Sequence, residues 1–215
     1  MEQQSSMEDL KRIRSLMERS SVYHSLSGLS GVAAGVIGIV VYFAAYAFID
    51  PILEKDPQWK FTAEGQAYLI RFFSVASIIC LALAFSAILY FNRLKAQQTG
   101  LPLFDETMKK MFINLFIPLI SGGIYCIMLI REQNFLLIAP SMLIFYGLAM
   151  IMASRHTIIE IRHLGFAELI LGLIAIFFKE YGMWFWLSGF GLVNVIYGAY
   201  IYFTYERKEE ARSNA

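Results

Sequence analysis

The chain has 215 residues, of which 58% are hydrophobic and only 16% charged, with a mean hydropathy of +0.56; soluble domains average near half apolar and a quarter charged. A net charge of +1 argues against a nucleic-acid surface or a strongly acidic partner. The apolar residues are gathered into runs near the length, about 20 residues, at which a helix spans the roughly 30 Å hydrocarbon layer of a bilayer, so the expected class is a polytopic membrane protein.

In chain order, residues 1–28 read as a polar cytoplasmic segment. Within MEDLKRIRSLMERSS, Leu10, Ile13 and Met17 share one helical face among basic residues. Two readings stay open: a cationic amphipathic helix lying on the inner leaflet, or a cytoplasmic extension of the first membrane helix. The first apolar run is too long for a signal-peptide core and lacks a clear small-residue cleavage site, so an uncleaved first helix is expected.

Six apolar runs follow within residues 29–203: 29–49, 69–91, 111–130, 135–153, 164–178 and 183–203. They predict an all-α bundle of six transmembrane helices arranged as three helical hairpins, closed by a charged tail at 204–215 that frays after Tyr205. The segment DPILEKDPQWKFTAEGQAY between the first two runs reads as a solvated loop or interfacial turn. The turns REQN and KEYG are so short that the third and fourth helices, and the fifth and sixth, are expected as adjacent antiparallel pairs. These two pairs share a small-residue start and a Tyr-Gly step, which fits a parallel duplication or the ordinary abundance of such residues in membrane spans.

Basic residues favour the cytoplasmic side. Lys11, Arg12, Arg14, Arg19, Arg93, Lys95, Lys109, Lys110, Arg155, Arg162, Arg207, Lys208 and Arg212, 13 of the 18, fall on one side, against Lys55, Lys60, Arg71, Arg131 and Lys179 on the other. The expected location is the cytoplasmic (inner) membrane, with both termini inside and the lipid bilayer as the immediate partner.

The first run carries Gly28, Gly31, Gly35 and Gly38 within an arc of roughly 80° on a 3.6-residue helix. Lipid supplies no hydrophobic drive between helices, so a smooth face that lets backbones approach is a source of packing energy. The expectation is a close contact within the chain or in a homo-oligomer, with a pore or ligand groove as the alternative. The second run is interrupted by Arg71 and holds Cys80; the third holds Cys126, and both cysteines read as small buried hydrophobes.

The third run lines Asn114, Pro118, Ser121 and Tyr125 along one face. Pro118 frees a backbone carbonyl, and the polar groups either join neighbouring helices or, with Asn194 of the sixth run, line a polar path. The fifth run is short and fits a tilted span or one extended back through IIEIRHL. Gly165, Glu168, Gly172 and Ala175 recur at helical spacing, which sets Glu168 on the small-residue face about one turn inside the membrane. An ionisable group there is costly unless paired or hydrated; it reads as a structural hydrogen bond or salt bridge, or as a proton or cation site. His24, His156 and His163 are cytoplasmic, and His156, Glu160 and His163 share a face with Glu-x-x-His spacing. With one copy of that spacing and two arginines beside it, headgroup contact is the preferred reading over a metal. The sixth run repeats the small spacing in Ser188, Gly191, Val195 and Gly198.

No nucleotide-binding, zinc-protease or nucleophile-elbow motif occurs, and no set of residues points to a cofactor. In NLFIPLISGGIYCIMLI, LIAPSMLIFYGLAMIMASRHTIIEIRHLGFAELILGLIAIFF and FWLSGFGLVNVIYGAYIYF, together with RSLMERSSVYHSLSGLSG, the chain resembles a family of uncharacterised six-helix membrane proteins of Bacteroidota. The resemblance implies the six-helix topology and a glutamate at Glu168, whereas the positions of His156 and His163 are more usually tyrosine there. It also implies a link to a winged-helix transcriptional regulator encoded nearby, and it assigns no activity.

Three functional readings follow. The first is a non-enzymatic membrane protein whose small-residue faces serve packing or self-association. The second is a small solute or ion carrier or channel with Glu168 as coupling carboxylate and Asn114, Ser121, Tyr125 and Asn194 along the path. The third is an enzyme acting on lipid through Glu168 and the histidines.

Overall fold

The computed structural model of the chain describes residues 27–99 and 106–207. The amphipathic N-terminal segment, His24 and the end of the C-terminal tail lie outside these residues. Among the described residues all regular structure is helical.

Helix α1 spans Gly28–Lys55, α2 spans Ala63–Thr99, α3 spans Glu106–Arg131, α4 spans Ile138–Ala153 and α5 spans Ile159–Phe177. Helix α6 is one rod of four parts: α-helical Gly182–Trp186, π-helical Leu187–Val193, α-helical Asn194–Ile201 and π-helical Tyr202–Glu206. Five helical segments, Gly28–Lys55, Ala63–Gln97, Glu106–Arg131, Phe135–His156 and Lys179–Glu206, are long and apolar enough to cross a membrane. Helix α5 is not among them, because its 19 residues include Glu160, Arg162 and Glu168.

The segment between the first two runs is mostly helix, not loop. Helix α1 continues through Pro51 to Lys55, and a single 3₁₀ turn, Trp59–Phe61, precedes α2. Thr62 then caps α2: its Oγ1 accepts the Gly65 N–H at 3.0 Å and its hydroxyl donates to the Trp59 carbonyl at 2.7 Å, satisfying a donor that the first helical turn leaves orphaned. The turn between α3 and α4 closes by a Schellman arrangement. Asn134 N–H reaches the Leu129 carbonyl at 2.8 Å and Gln133 N–H the Ile130 carbonyl at 3.1 Å, with Gln133 at φ 58°, the left-handed conformation this motif requires.

Helix α1 lies between α2 and α6, α4 lies between α3 and α5, and α6 also touches α4 and α5. The short turns do bring α3 beside α4 and α5 beside α6, but α5 packs most extensively on α4 and α6 on α1. Two seams of small residues explain this. Along the first, a methyl at Gly35 would stand 2.7 Å from both the Gly191 carbonyl oxygen and Val195 Cγ2; one at Gly31 would be 3.2 Å from Gly198 Cα, and one at Gly38 2.9 Å from the Phe190 carbonyl. Gly28 meets Gly198 and Tyr202, so α1 and α6 run antiparallel. Along the second seam, Gly165 faces the Gly147 carbonyl and Ile151 of α4, and Gly172 faces Ile144 and Leu143. Backbones can approach this closely only where side chains are missing.

The outer faces of α2 and α3 are apolar and exposed. Residues 71–90 of α2 include no buried one, and Ile113, Ile117, Ile120, Ile124 and Ile127 project from α3. Such a surface is what a helix presents to lipid.

Candidate functional site

Glu168 lies near the middle of α5, because that helix begins at Ile159 and extends back through the IIEIRHL stretch. At the 1.5 Å rise of an α-helix it is about 14 Å along the axis from the first residue. It has 0% exposure. Gly165 and Gly172 bring α5 against α4, which holds this face of the helix away from the exterior.

Three helices contribute to its surroundings. Asn194 Nδ2 of α6 donates to Glu168 Oε1 at 3.1 Å and to the Gly189 carbonyl at 3.1 Å. Tyr146 of α4 donates its hydroxyl to Asn194 Oδ1 at 2.9 Å. The result is a phenol–amide–carboxyl chain across α4, α6 and α5. Among the described residues Glu168 Oε2 has no hydrogen-bond partner, and it occupies the space that a side chain at Gly189 would need, beside Leu143 Cδ2.

The π-helical segment is what aims these groups. A π turn bonds i to i+5 and so shifts the register of the faces that follow. Gly189 thereby comes against Glu168 while Gly191, two residues later, bears on Ile39 of α1. Ser188, expected on the small-residue face, instead returns its hydroxyl to the Trp184 carbonyl at 2.8 Å. Its place is taken by Gly189, which uniform 3.6-residue spacing does not select. Gly198 meets Val32 and Gly28 on α1.

The remaining candidates are elsewhere. Asn114 is half-buried on α3, which packs on α4. Ser121 is exposed and donates to the Ile117 carbonyl of its own helix at 2.8 Å; Tyr125 is 42% exposed with its ring 5.8 Å from that of Phe145. Asn194 and Glu168 are therefore joined, and Ser121 and Tyr125 face away from them.

A second polar cluster ties α1, α2 and α6 together. Glu206 accepts the Gly28 N–H at 2.5 Å and the Ser27 hydroxyl at 3.2 Å, and its Oε1 is 3.4 Å from Lys95 Nζ. Asn92 Oδ1 accepts the Ser27 N–H at 2.9 Å. A carboxylate at the N-terminus of α1 satisfies its first free amide and complements the helix dipole. The helix continues past Tyr205 to a buried and bonded Glu206, while the tail expected to fray lies from residue 208 on outside the described residues. Sequence reading missed the role because Glu206 stands in a charged tail, where burial leaves no local signature.

Nearby, the Tyr205 hydroxyl donates to Glu160 Oε1 at 2.5 Å. Glu160 is buried whereas His163 is exposed, so the shared helical face does not make them one site. No group of three or more His, Cys, Asp or Glu is placed to hold a metal among the described residues. Cys80 and Cys126 are half-buried free thiols.

Comparison with protein-family models, with curated proteins and with solved structures gives no match.

Proposed function

We propose that the protein is a non-enzymatic integral protein of the cytoplasmic membrane, crossing it six times with both termini inside, and that its glycine faces act as internal seams. The observation that carries this reading is the mutual closure of α1 on α6: Gly28, Gly31, Gly35 and Gly38 are already covered by residues 190–202 of the same chain. A face consumed in this way is not free for a ligand or a second copy. The reading assigns the outer faces of α2 and α3 to lipid and any self-association to those same faces. It counts α5 as the sixth crossing, with Arg162 at the inner interface and Glu168 shielded by α4 and α6. The resemblance to the Bacteroidota six-helix family supports the same topology, and a functional link to a transcriptional regulator rests on that resemblance alone.

The orphaned Glu168 Oε2 favours a second reading, a small proton-coupled carrier. Against it, Asn114, Ser121 and Tyr125 do not continue the polar chain from Asn194. Both readings meet one test: a deletion strain complemented by wild type or by Glu168→Gln, alongside proton flux in vesicles containing the purified protein. The packing reading expects complementation by the variant and no flux above that of empty vesicles. Flux that Glu168→Gln abolishes would establish the carrier. Topology is read separately by labelling cysteine introduced at Glu132 or Arg155 in a chain with Cys80 and Cys126 replaced; an impermeant reagent added outside should reach the first and not the second.

A further inference from the structure

Three buried polar atoms have no hydrogen-bond partner among the described residues: Thr157 Oγ1, Glu160 Oε2 and Glu168 Oε2. The first two lie at the beginning of α5, where the other oxygen of Glu160 takes a proton donor from Tyr205. Glu168 is different because it is wholly buried at mid-helix, with Leu143 and the Gly189 backbone beside its free oxygen.

The groups that face it can be named element by element. Helix α4 offers Leu143 and, through Asn194, Tyr146; α6 offers Asn194 and Gly189. Neither α4 nor α6 contains a Lys, Arg or His. Among the described residues, Tyr146 is the titratable side chain joined to the site from a neighbouring helix, through Asn194. On α5 itself Glu160, Arg162 and His163 precede Glu168 by five to eight residues. An ion left alone in such a place costs several kcal/mol, and among the described residues no cation bonds it to offset that cost.

A proton on Oε2 removes the charge and needs almost no volume. Ca²⁺ or Mg²⁺ needs about six or more oxygen ligands, at about 2.0–2.6 Å, and the space beside Oε2 is taken by the Gly189 backbone and Leu143. We infer that Glu168 Oε2 is a reversible proton-binding site whose occupancy is sensed by the π-helical segment Leu187–Val193. Asn194 provides the linkage. Its side chain divides its donors between Glu168 Oε1 and the Gly189 carbonyl, while its backbone N–H also bonds the Gly189 carbonyl. When the proton leaves Oε2 for solvent, the carboxylate draws Asn194 Nδ2 toward itself and weakens the bond to Gly189. The π turn then relaxes, and the contact of Gly191 with Ile39 carries the change to α1. π-helical stretches inside α-helices occur frequently at functional sites. The inference goes beyond the packing reading and holds whether or not protons cross the membrane.

The test uses the full-length protein in lipid vesicles, titrated across neutral pH and followed by infrared difference spectroscopy. A protonated-carboxyl carbonyl band is expected, lost in Glu168→Gln and kept in Glu160→Gln. Tyr146→Phe, which leaves Glu168 in place, should shift that band, because Asn194 Oδ1 loses its donor. Hydrogen exchange of residues 187–194, corrected for the intrinsic effect of pH, should quicken on deprotonation in wild type and lose its pH response in Glu168→Gln. A spectrum without a Glu168 band, a band that Tyr146→Phe leaves unmoved, or an exchange response retained in Glu168→Gln would overturn the proposal. So would a band whose amplitude follows sodium or another metal ion at fixed pH. Proton flux in the vesicle experiment above would overturn the packing reading without touching this one.

Discussion

Asn194 Nδ2 stands 3.1 Å from Glu168 Oε1 and equally 3.1 Å from the carbonyl oxygen of Gly189. One amide therefore joins α5 to α6 and also closes the π turn within α6. Tyr146 adds α4 through the opposite end of the same amide, so three helices depend on a side chain of which 5% is exposed. In the low-dielectric interior of a bundle such a network is stiff when complete and costly when broken.

Replacing Asn194 with Leu removes both donors and the acceptor for Tyr146, leaving Glu168 with neither oxygen bonded. The expected loss is about 1–3 kcal/mol, the cost of stranding buried polar groups. Tyr146→Phe removes a single interhelical bond and should cost about 0.6 kcal/mol, in line with such bonds in membrane bundles. Reversible unfolding in mixed micelles measures both, and a double-mutant cycle should show strong coupling. Independent, additive losses would mean that the three side chains do not act as one network.

Glycine substitutions should divide sharply by position. A methyl at Gly35 would press on the Gly191 carbonyl and Val195, whereas one at Gly123 would meet nothing within 4 Å. Gly35→Ala should therefore separate α1 from α6 and destabilise by about 1–3 kcal/mol, as overpacking does. Gly123→Ala should be neutral or stabilising by up to about 1 kcal/mol, the difference in helix propensity. Equal effects at the two positions, read from unfolding midpoints, would contradict the seam.

The apolar runs were enough to place each helix, and the spacing of Gly28, Gly31, Gly35 and Gly38 marked the face that α6 covers, since both signals are local and periodic. The spacing also put Glu168 on the face turned inward. The partner of each face was not legible: Gly191 and Gly198 stand far along the chain from the α1 residues they meet, Ile39 and Gly31 among them, and nothing in one sequence pairs them. Asn114, Ser121 and Tyr125 share a face, but periodicity does not say whether a polar face looks inward. Gly189 and Glu206 escaped notice for different reasons. The first acquires its position from a π turn that breaks the period, and the second is a tail carboxylate whose value depends on the distant Gly28 amide and Ser27 hydroxyl.

Glu206→Ala should free the N-terminus of α1 and cost about 1–2 kcal/mol, the range for loss of a cap with its helix-dipole contribution. Glu206→Gln keeps a side-chain acceptor for the Gly28 N–H and should cost less. Because Glu206 and Lys95 are largely buried, salt should change the wild-type stability little; screening acts chiefly on exposed charges. The ordering Ala below Gln below wild type in unfolding midpoint is the expected result, and a pronounced salt dependence would show that the cluster is open to solvent.

Gln133 offers the reverse experiment, a substitution that should help. Its φ of 58° places a side chain in the left-handed region, which costs a non-glycine residue of order 1 kcal/mol. The strain is held by the two bonds of the Schellman turn, Asn134 N–H to Leu129 and Gln133 N–H to Ile130. Glycine adopts that conformation without penalty but loses more entropy on folding. Gln133 is exposed, so removing its side chain forfeits little packing. Gln133→Gly should therefore raise stability by a few tenths of a kcal/mol to about 1 kcal/mol, while Gln133→Val, with a β-branched side chain at the same angle, should lower it. Thermal unfolding of the two variants beside wild type decides the matter, and a stabilising valine would show that the turn is not left-handed in the membrane-embedded protein.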